Sequence, residues 1–438
     1  MFSYYLKLAL RSFRRNKALT ALMVLAIALG IGASMTTLTV FYVLSGDPIP
    51  EKSDRLFYVR MDPASMRGYT PGEPPQAQMT RFDSEALLRD ARGDRQAMMS
   101  AGAVVIRPDT EGLSPFLVDV RFTSSDFFDM FDVPLAHGRA WNAADDEARA
   151  RVVVLASELN KRLFGDADSV GKSVRLGDAE FRVIGVMDEW RPTPRFFDLS
   201  MMSRYGGEGE QVYIPFSTSR AMNLGNNGDM SCWGRPGDDG EGTTGLNAPC
   251  AWIQYWVELD SPSKVAAYRQ YLENYSDQQR SAGRFERPTN TRLSSVMDWL
   301  DENGVVPSDV RLQAWLAFAF LLVCLLNTVG LLLAKFLRRG GEIGVRRALG
   351  ASRRAIFVQC LVEAGAVGLA GGALGLGLAA LGLWAVRRQP TDYAELAHLD
   401  PLMLMATIGL AVVASLLAGL LPAWRAMQVA PAVQLKSQ

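Results

Sequence analysis

The sequence predicts an α-helical membrane protein with four transmembrane helices. A large α+β extracytoplasmic domain of two lobes is expected between the first and second helices. Charge segregation is the first observation behind this. The 438 residues carry no net charge, yet no charged side chain falls between Ala18 and Gly46, Leu312 and Ala334, Ala364 and Val386, or Pro401 and Trp424. Each run reaches the roughly 20 apolar residues that cross about 30 Å of hydrocarbon. The second observation is that basic residues gather on one side of these runs. The third is the long stretch 47–311, where strand-like alternation and helical periodicity are interleaved without long parallel-sheet runs.

The first run is too long for a signal-peptide core, and "ASM" inside it is a poor cleavage site, so it is read as a retained anchor. Ahead of it, Phe2, Tyr5, Leu6, Ala9 and Phe13 recur at helical spacing, apart from Lys7, Arg11 and Arg14. Either a short interfacial helix or a basic anchoring flank satisfies that pattern. Residues 1–46 thus form a cytoplasmic amphipathic segment and the first span. Lys7, Arg11, Arg14, Arg15 and Lys17 place the N-terminus in the cytoplasm. Lys335, Arg338, Arg339, Arg346, Arg347, Arg353 and Arg354, against the lone Glu342, do the same for loop 335–354. Four spans return the C-terminus, with Arg425 and Lys436, to the cytoplasm. Arg387 and Arg388 fall on the outer side, accompanied by Asp392, Glu395 and Asp400.

Within 47–311, "RLFYVRM" alternates as a strand and is followed by a Pro-rich loop. "SEALLRDAR" reads as a helix, "SAGAVVIR" and "FLVDVRF" as strands, and "SSDFFDMF" as helical. "ARVVVLASELNKRLFG" combines a strand and a helix. "SVRLGDAEFRVIGVM" is two strands joined at Gly177-Asp178, a hairpin signal. "QVYIPF" and "AWIQYWVEL" read as strands, "SKVAAYRQYLENYSDQQR" as a helix, and a connecting stretch then leads to the second span. Cys232 and Cys250 bracket a stretch rich in Gly, Asn and Asp that can bury little, so a disulfide is expected there, with two free thiols as the alternative. The bridge implies an oxidising compartment such as a periplasm. Cys324 and Cys360 lie in or beside spans as small packing residues.

"GDADSVGKS", Gly165–Ser173, resembles a nucleotide phosphate loop but has five residues before Gly171, two of them aspartates. It also precedes a strand, whereas a phosphate loop runs into a helix whose N-terminus faces the anion. A turn is expected here, with ATP hydrolysed on another chain.

The most specific stretch is "RRGGEIGVRRALGASRRAIFVQCLVEAG", Arg338–Gly365. A helix exit at Gly340-Gly341 and a short amphipathic helix over Glu342–Leu349 are expected. Glu342 stands at its positive N-terminus, Gly350 serves as a left-handed C-cap, and Ser352 caps the third span. The short helix would present Ile343, Val345, Ala348 and Leu349, with Arg346 and Arg347, to a partner's groove. Alternatively the arginines only anchor the loop on anionic lipid. This segment closely resembles the "E-I-G-x-R-R-A-L-G-A" hallmark of the FtsX/MacB family of ABC-transporter permeases, matching at Glu342, Ile343, Gly344, Arg346, Arg347, Ala348, Leu349, Gly350 and Ala351. "LKLALRSFRRNKALTALMVLAIALGIG" looks like the family's entry and first span. "FTSSDFFDMFDVPLAHGRAW", "VVVLASELNKRLFGDADSVGKSVRL" and "FRVIGVM" look like its MacB-type periplasmic core, and "LPAWRAMQVAPAVQLK" like its C-terminal exit. The middle of the domain, with the cysteine loop and "TPRFFDLSMMSRYGGEGE", departs from the family pattern.

The resemblance implies a dimeric, mechanotransmission-type permease of the bacterial inner membrane, with ATP and magnesium bound on a separate ATPase chain and no cofactor of its own. Its expected partners are that ATPase, a second permease copy or paralogue, membrane lipid, a periplasmic adaptor and an outer-membrane channel. Efflux from the periplasm is the leading reading. An FtsX-like permease that activates a cell-wall hydrolase, or a lipoprotein-releasing complex, is the alternative. Glu363 lies nearly inside the third span and is expected to pair with a basic group near the inner interface, a proton relay being the other use of such a carboxylate. Gly368, Gly371, Gly372 and Gly375 are expected to serve close helix packing, within a subunit or across a dimer. His137 and His398 lack metal-spaced companions. Neither a catalytic constellation nor a groove for nucleic acid is expected.

Overall fold

The computed structural model describes residues 13, 17–108, 114–165, 167–200, 209–235, 240–305, 308–388 and 401–428. Apart from Phe13, the amphipathic segment ahead of the first span lies outside the described residues, as do His398, the C-terminal Lys436 and most of "SMMSRYGGEGE". The chain divides into two compact units, 46–305 and 1–45 together with 306–438.

Among its described residues, the inserted domain, 46–305, is built on twelve strands. In chain order these begin β1 (Leu56–Met61), β2 (Met79–Thr80), β3 (Arg95–Arg107), β4 (Phe116–Thr123), β5 (Leu135–Gly138) and β6 (Val152–Leu155). They continue with β7 (Ser173–Leu176), β8 (Ala179–Met187), β9 (Val212–Pro215), β10 (Ser231–Cys232), β11 (Cys250–Glu258) and β12 (Thr291–Ser295). All join one hydrogen-bonded network in the order β12-β1-β11-β3-β4-β9-β6-β8-β5. From β12 to β4 every pair is antiparallel; β4 then meets β9 in parallel, with Val120 opposite Val212. Because β7 pairs with both β3 and β8, the strands β3, β4, β9, β6, β8 and β7 close into a ring.

Alternation decides which residues fill this ring, since successive side chains point to opposite faces. Val118, Val120 and Phe122 of β4, with Val212 and Ile214 of β9, join one core cluster with Val153, Val174, Leu176, Phe181 and Val183. Val154 and Tyr213, on the opposite faces, join a second cluster rich in rings: Tyr58, Phe127, Phe131, Phe196, Phe197, Trp256 and Trp299. The run "CAWIQYWVE" of β11 is buried at all nine positions, as a strand with both faces covered requires. The stretch expected only to connect into the second span forms β12 and a helix, Val296–Glu302, whose cap Ser295 accepts from the Asp298 N–H. Its Trp299 stacks on Tyr58 at 4.0 Å between ring centroids, which draws this segment into the core. Cys232 and Cys250 are disulfide-bonded, joining β10 to β11.

In the second unit, four helices among the described residues have the length and composition to cross a membrane. They are the first span (Lys17–Ser45), the second (Ser308–Arg338), the third (Arg353–Val386) and the fourth (Pro401–Met427). The second begins earlier than its charge-free run, since a helix can carry Arg311 beyond the hydrocarbon. The third span packs against the first and fourth, and glycines make this close approach possible. A Cβ at Gly371 would lie 2.8 Å from Ile27 Cβ, and one at Gly375 would lie 3.1 Å from the Ala28 carbonyl, both on the first span. A Cβ at Gly368 would clash with Ser415, and one at Gly372 would lie 2.6 Å from Ala411 Cβ, both on the fourth. The small residues therefore serve packing inside one chain.

Candidate functional site

Gly165–Ser173 turns from the helix Ser157–Phe164 into β7. The Val170 N–H donates to the Asp168 side chain, that of Gly171 to the Val183 carbonyl and that of Lys172 to the Ser169 carbonyl. These three amides are engaged within the fold, and none is presented to a phosphate. His137 is exposed on the edge strand β5.

Between the second and third spans, the chain turns at Arg339 and forms a short helix, Gly340–Ala348. The helix thus starts two residues earlier than expected and takes in both Gly340 and Gly341. Gly350 adopts a φ of +97°, the left-handed conformation expected of it, and the Ser352 hydroxyl accepts from the Ala355 N–H at 3.2 Å to cap the third span. Glu342 stands in the first turn and accepts from Arg339 Nε at 3.1 Å.

The expected apolar face divides in two. Ile343 and Gly344 are buried, and Ile343 packs with Phe336 and Ile356 in the membrane unit's core. Val345 is 50% exposed and Leu349 is 83% exposed. This corrects the expectation that Ile343 is offered to a partner. At about 100° per residue, positions 343 and 345 lie on opposite sides of a helix, while 345 and 349 share one. The arginines are engaged as well: Arg346 Nη1 donates to Gln359 Oε1 at 2.9 Å, and Arg347 Nη1 to the Met427 carbonyl at 3.3 Å. The short helix is therefore tied to the third span and to the end of the fourth, leaving Val345, Ala348 and Leu349 exposed.

Glu363 pairs with Lys335 at 2.7 Å and with Arg339 at 2.9 Å. The sequence pointed to a basic partner without identifying it. Lys335 carried a signal of its own: its neighbours Phe336 and Leu337 continue the apolar pattern, and its side chain is fully buried.

The inserted domain holds a cavity of about 270 Å³, lined among others by Met98, Asp146, Arg149, Phe216 and Arg220. Burial pushes the Asp146 carboxyl up to about 6. Burial, with Arg81 nearby, pushes Arg220 down to about 10. Deeper in the same domain, Arg121 lies 2.5 Å from Asp198 and also pairs with Glu210, all three buried. Burial opposes the Arg121 charge, but Glu210 and Asp198 outweigh it and hold the guanidinium above its ordinary value. Burial likewise raises Glu210, yet the charges of Arg121 and Arg195 bring it below its ordinary value.

Residues 20–275 match the family described as MacB-like periplasmic core domain, and residues 314–431 match the FtsX-like permease C-terminal. The chain belongs to the FtsX/MacB permease family. The permease is 27% identical to a macrolide export ATP-binding/permease protein MacB of Rhodospirillum rubrum, over 100% of this chain and 61% of that protein. It is 24% identical to the MacB of Wolinella succinogenes, over 99% of this chain and 60% of that one. The chain thus spans about three fifths of the length of these relatives. Among solved structures, the periplasmic region of MacB from Actinobacillus actinomycetemcomitans aligns at a TM-score of 0.37 and 14% identity, covering 58% of this chain and 94% of that one.

Proposed function

We propose that this permease is driven by an ATPase on a separate chain, which docks on the exposed face of Val345, Ala348 and Leu349, and that from an inner membrane it acts in efflux out of the periplasm. The supporting observation is the division of the short helix. One side is fastened by Ile343, Arg346 and Arg347, while Leu349 stands 83% exposed. A leucine so exposed at the C-cap of a helix whose other side is tied down suits insertion into a partner's groove. One family match describes a periplasmic core domain and the other a permease C-terminal part, and the relatives are named as macrolide export ATP-binding/permease proteins. On this reading the ATPase supplies the ATP and magnesium chemistry, the spans carry its motion outward, and an adaptor with an outer-membrane channel receives the cargo.

The test is purification of the tagged chain beside Leu349→Asp. An ATP-hydrolysing chain is expected with the wild type and lost with the variant; equal recovery and equal hydrolysis would overturn the docking face. An adaptor in the wild-type sample supports efflux, whereas a cell-wall hydrolase bound to the inserted domain would replace efflux by signalling.

A further inference from the structure

Glu363 joins three elements through one buried carboxylate. Its Oε1 lies 2.7 Å from Lys335 Nζ at the end of the second span, and its Oε2 lies 2.9 Å from Arg339 Nη1 at the turn into the short helix. Lys335 also donates to Thr20 Oγ1 of the first span at 3.3 Å, and Arg339 continues to Glu342 on the short helix. The Lys335 side chain is fully buried and that of Glu363 is 3% exposed. The space enclosed by Phe336, Arg339, Glu342, Ile343, Cys360 and Glu363 holds only about 10 Å³, the lower limit for one water.

A buried ionic cluster is a poor device for stability alone, because desolvation offsets much of the attraction. It is a good device for fixing position. Sliding the short helix away from the third span would part Arg339 from Glu363 and leave the buried carboxylate with Lys335 alone. The cost of a stranded buried charge rises steeply with such a displacement.

We infer that Glu363 is the positioning residue that makes the short helix and the ends of the first three spans move together, so that force applied at Leu349 reaches the spans. This rests on the docking reading above. Lys335 and Arg339 act through Glu363.

The experiment uses the full permease purified in nanodiscs with its co-purifying ATPase. Two readouts are taken: retention of the ATPase, and the change that ATP produces in the proteolysis pattern of residues 46–305. Glu363→Gln and Lys335→Met should retain the ATPase at the wild-type level, lose the ATP-dependent change, and lower thermal stability. The double variant Lys335→Met/Glu363→Gln removes both stranded charges and leaves Arg339 with Glu342. It should regain wild-type stability while the ATP-dependent change stays lost. Recovery of that change together with stability would show a merely structural cluster and overturn the inference, as would a normal response in Glu363→Gln. Hydrogen exchange over residues 343–349 in the chain without ATPase reads the tether alone. Faster exchange in Glu363→Gln supports it, and unchanged exchange contradicts it. Leu349→Asp, run in parallel, loses the ATPase if the docking reading holds, so a failure there is distinguishable from a failure at Glu363.

Discussion

The two units of this permease bury their interiors with opposite materials. The inserted domain, folding in water, fills its second cluster with Tyr58, Phe127, Phe131, Trp256 and Trp299, where removing large apolar surface from solvent is the driving term. The membrane unit packs its third span through Gly368, Gly371, Gly372 and Gly375, because in lipid only close contact favours one helix over a hydrocarbon neighbour. Their buried charges are mirror images too. Arg121 sits between two acids in the domain, and Glu363 sits between two bases at the end of the spans. The first cluster ties β4 to the segment between β8 and β9, and the second ties the third span to the end of the second span and to the turn before the short helix.

Breaking the domain's cluster should have the largest effect. Arg121→Met strands Asp198, leaves Glu210 with Arg195 alone at 3.5 Å, and should cost about 3–5 kcal/mol, read as a lowered midpoint in thermal melts followed by tryptophan fluorescence. Opening the disulfide comes next. Cys232→Ser/Cys250→Ser frees a loop with a sequence separation of 18, expected to cost about 3 kcal/mol, and reduction of the wild type should give the same lowered midpoint. In the membrane unit, Gly371→Leu drives a side chain into Ile27 and should cost about 1–3 kcal/mol in detergent melts. Gly377→Leu, where a Cβ meets nothing within 4 Å, should be tolerated. Equal effects of the two would contradict glycine-mediated packing. The smallest effect concerns Asp146. Its native pKa of about 6 lies above the ordinary carboxylate value, so the native state holds the extra proton between about pH 4 and 6. The domain should therefore lose stability as pH rises through that window and stay level above it, whereas Asp146→Asn should remove the slope.

The spans were legible because hydrocarbon thickness imposes a minimum length on charge-free runs, and the hairpin at Gly177-Asp178 because turn chemistry is local. The ring of strands was not, since β7 reaches β3 across a long sequence separation that no periodicity records. Helix Val296–Glu302 was missed because its burial depends on Trp299 finding Tyr58, a tertiary event. In the loop after the second span, Gly350 and Ser352 announced their caps. The partition of Ile343 from Val345 and Leu349 needed the position of the third span, as did the choice of Lys335 and Arg339 as partners of Glu363.

The most direct measurement replaces Leu349 with a photo-crosslinking residue in cells, and Ile343 in parallel. An adduct between position 349 and the ATP-hydrolysing chain, with none at position 343, is the predicted result. A complex that purifies intact and hydrolyses ATP yet gives no adduct at 349, or gives equal adducts at both positions, would contradict the docking face and the coupling drawn from it.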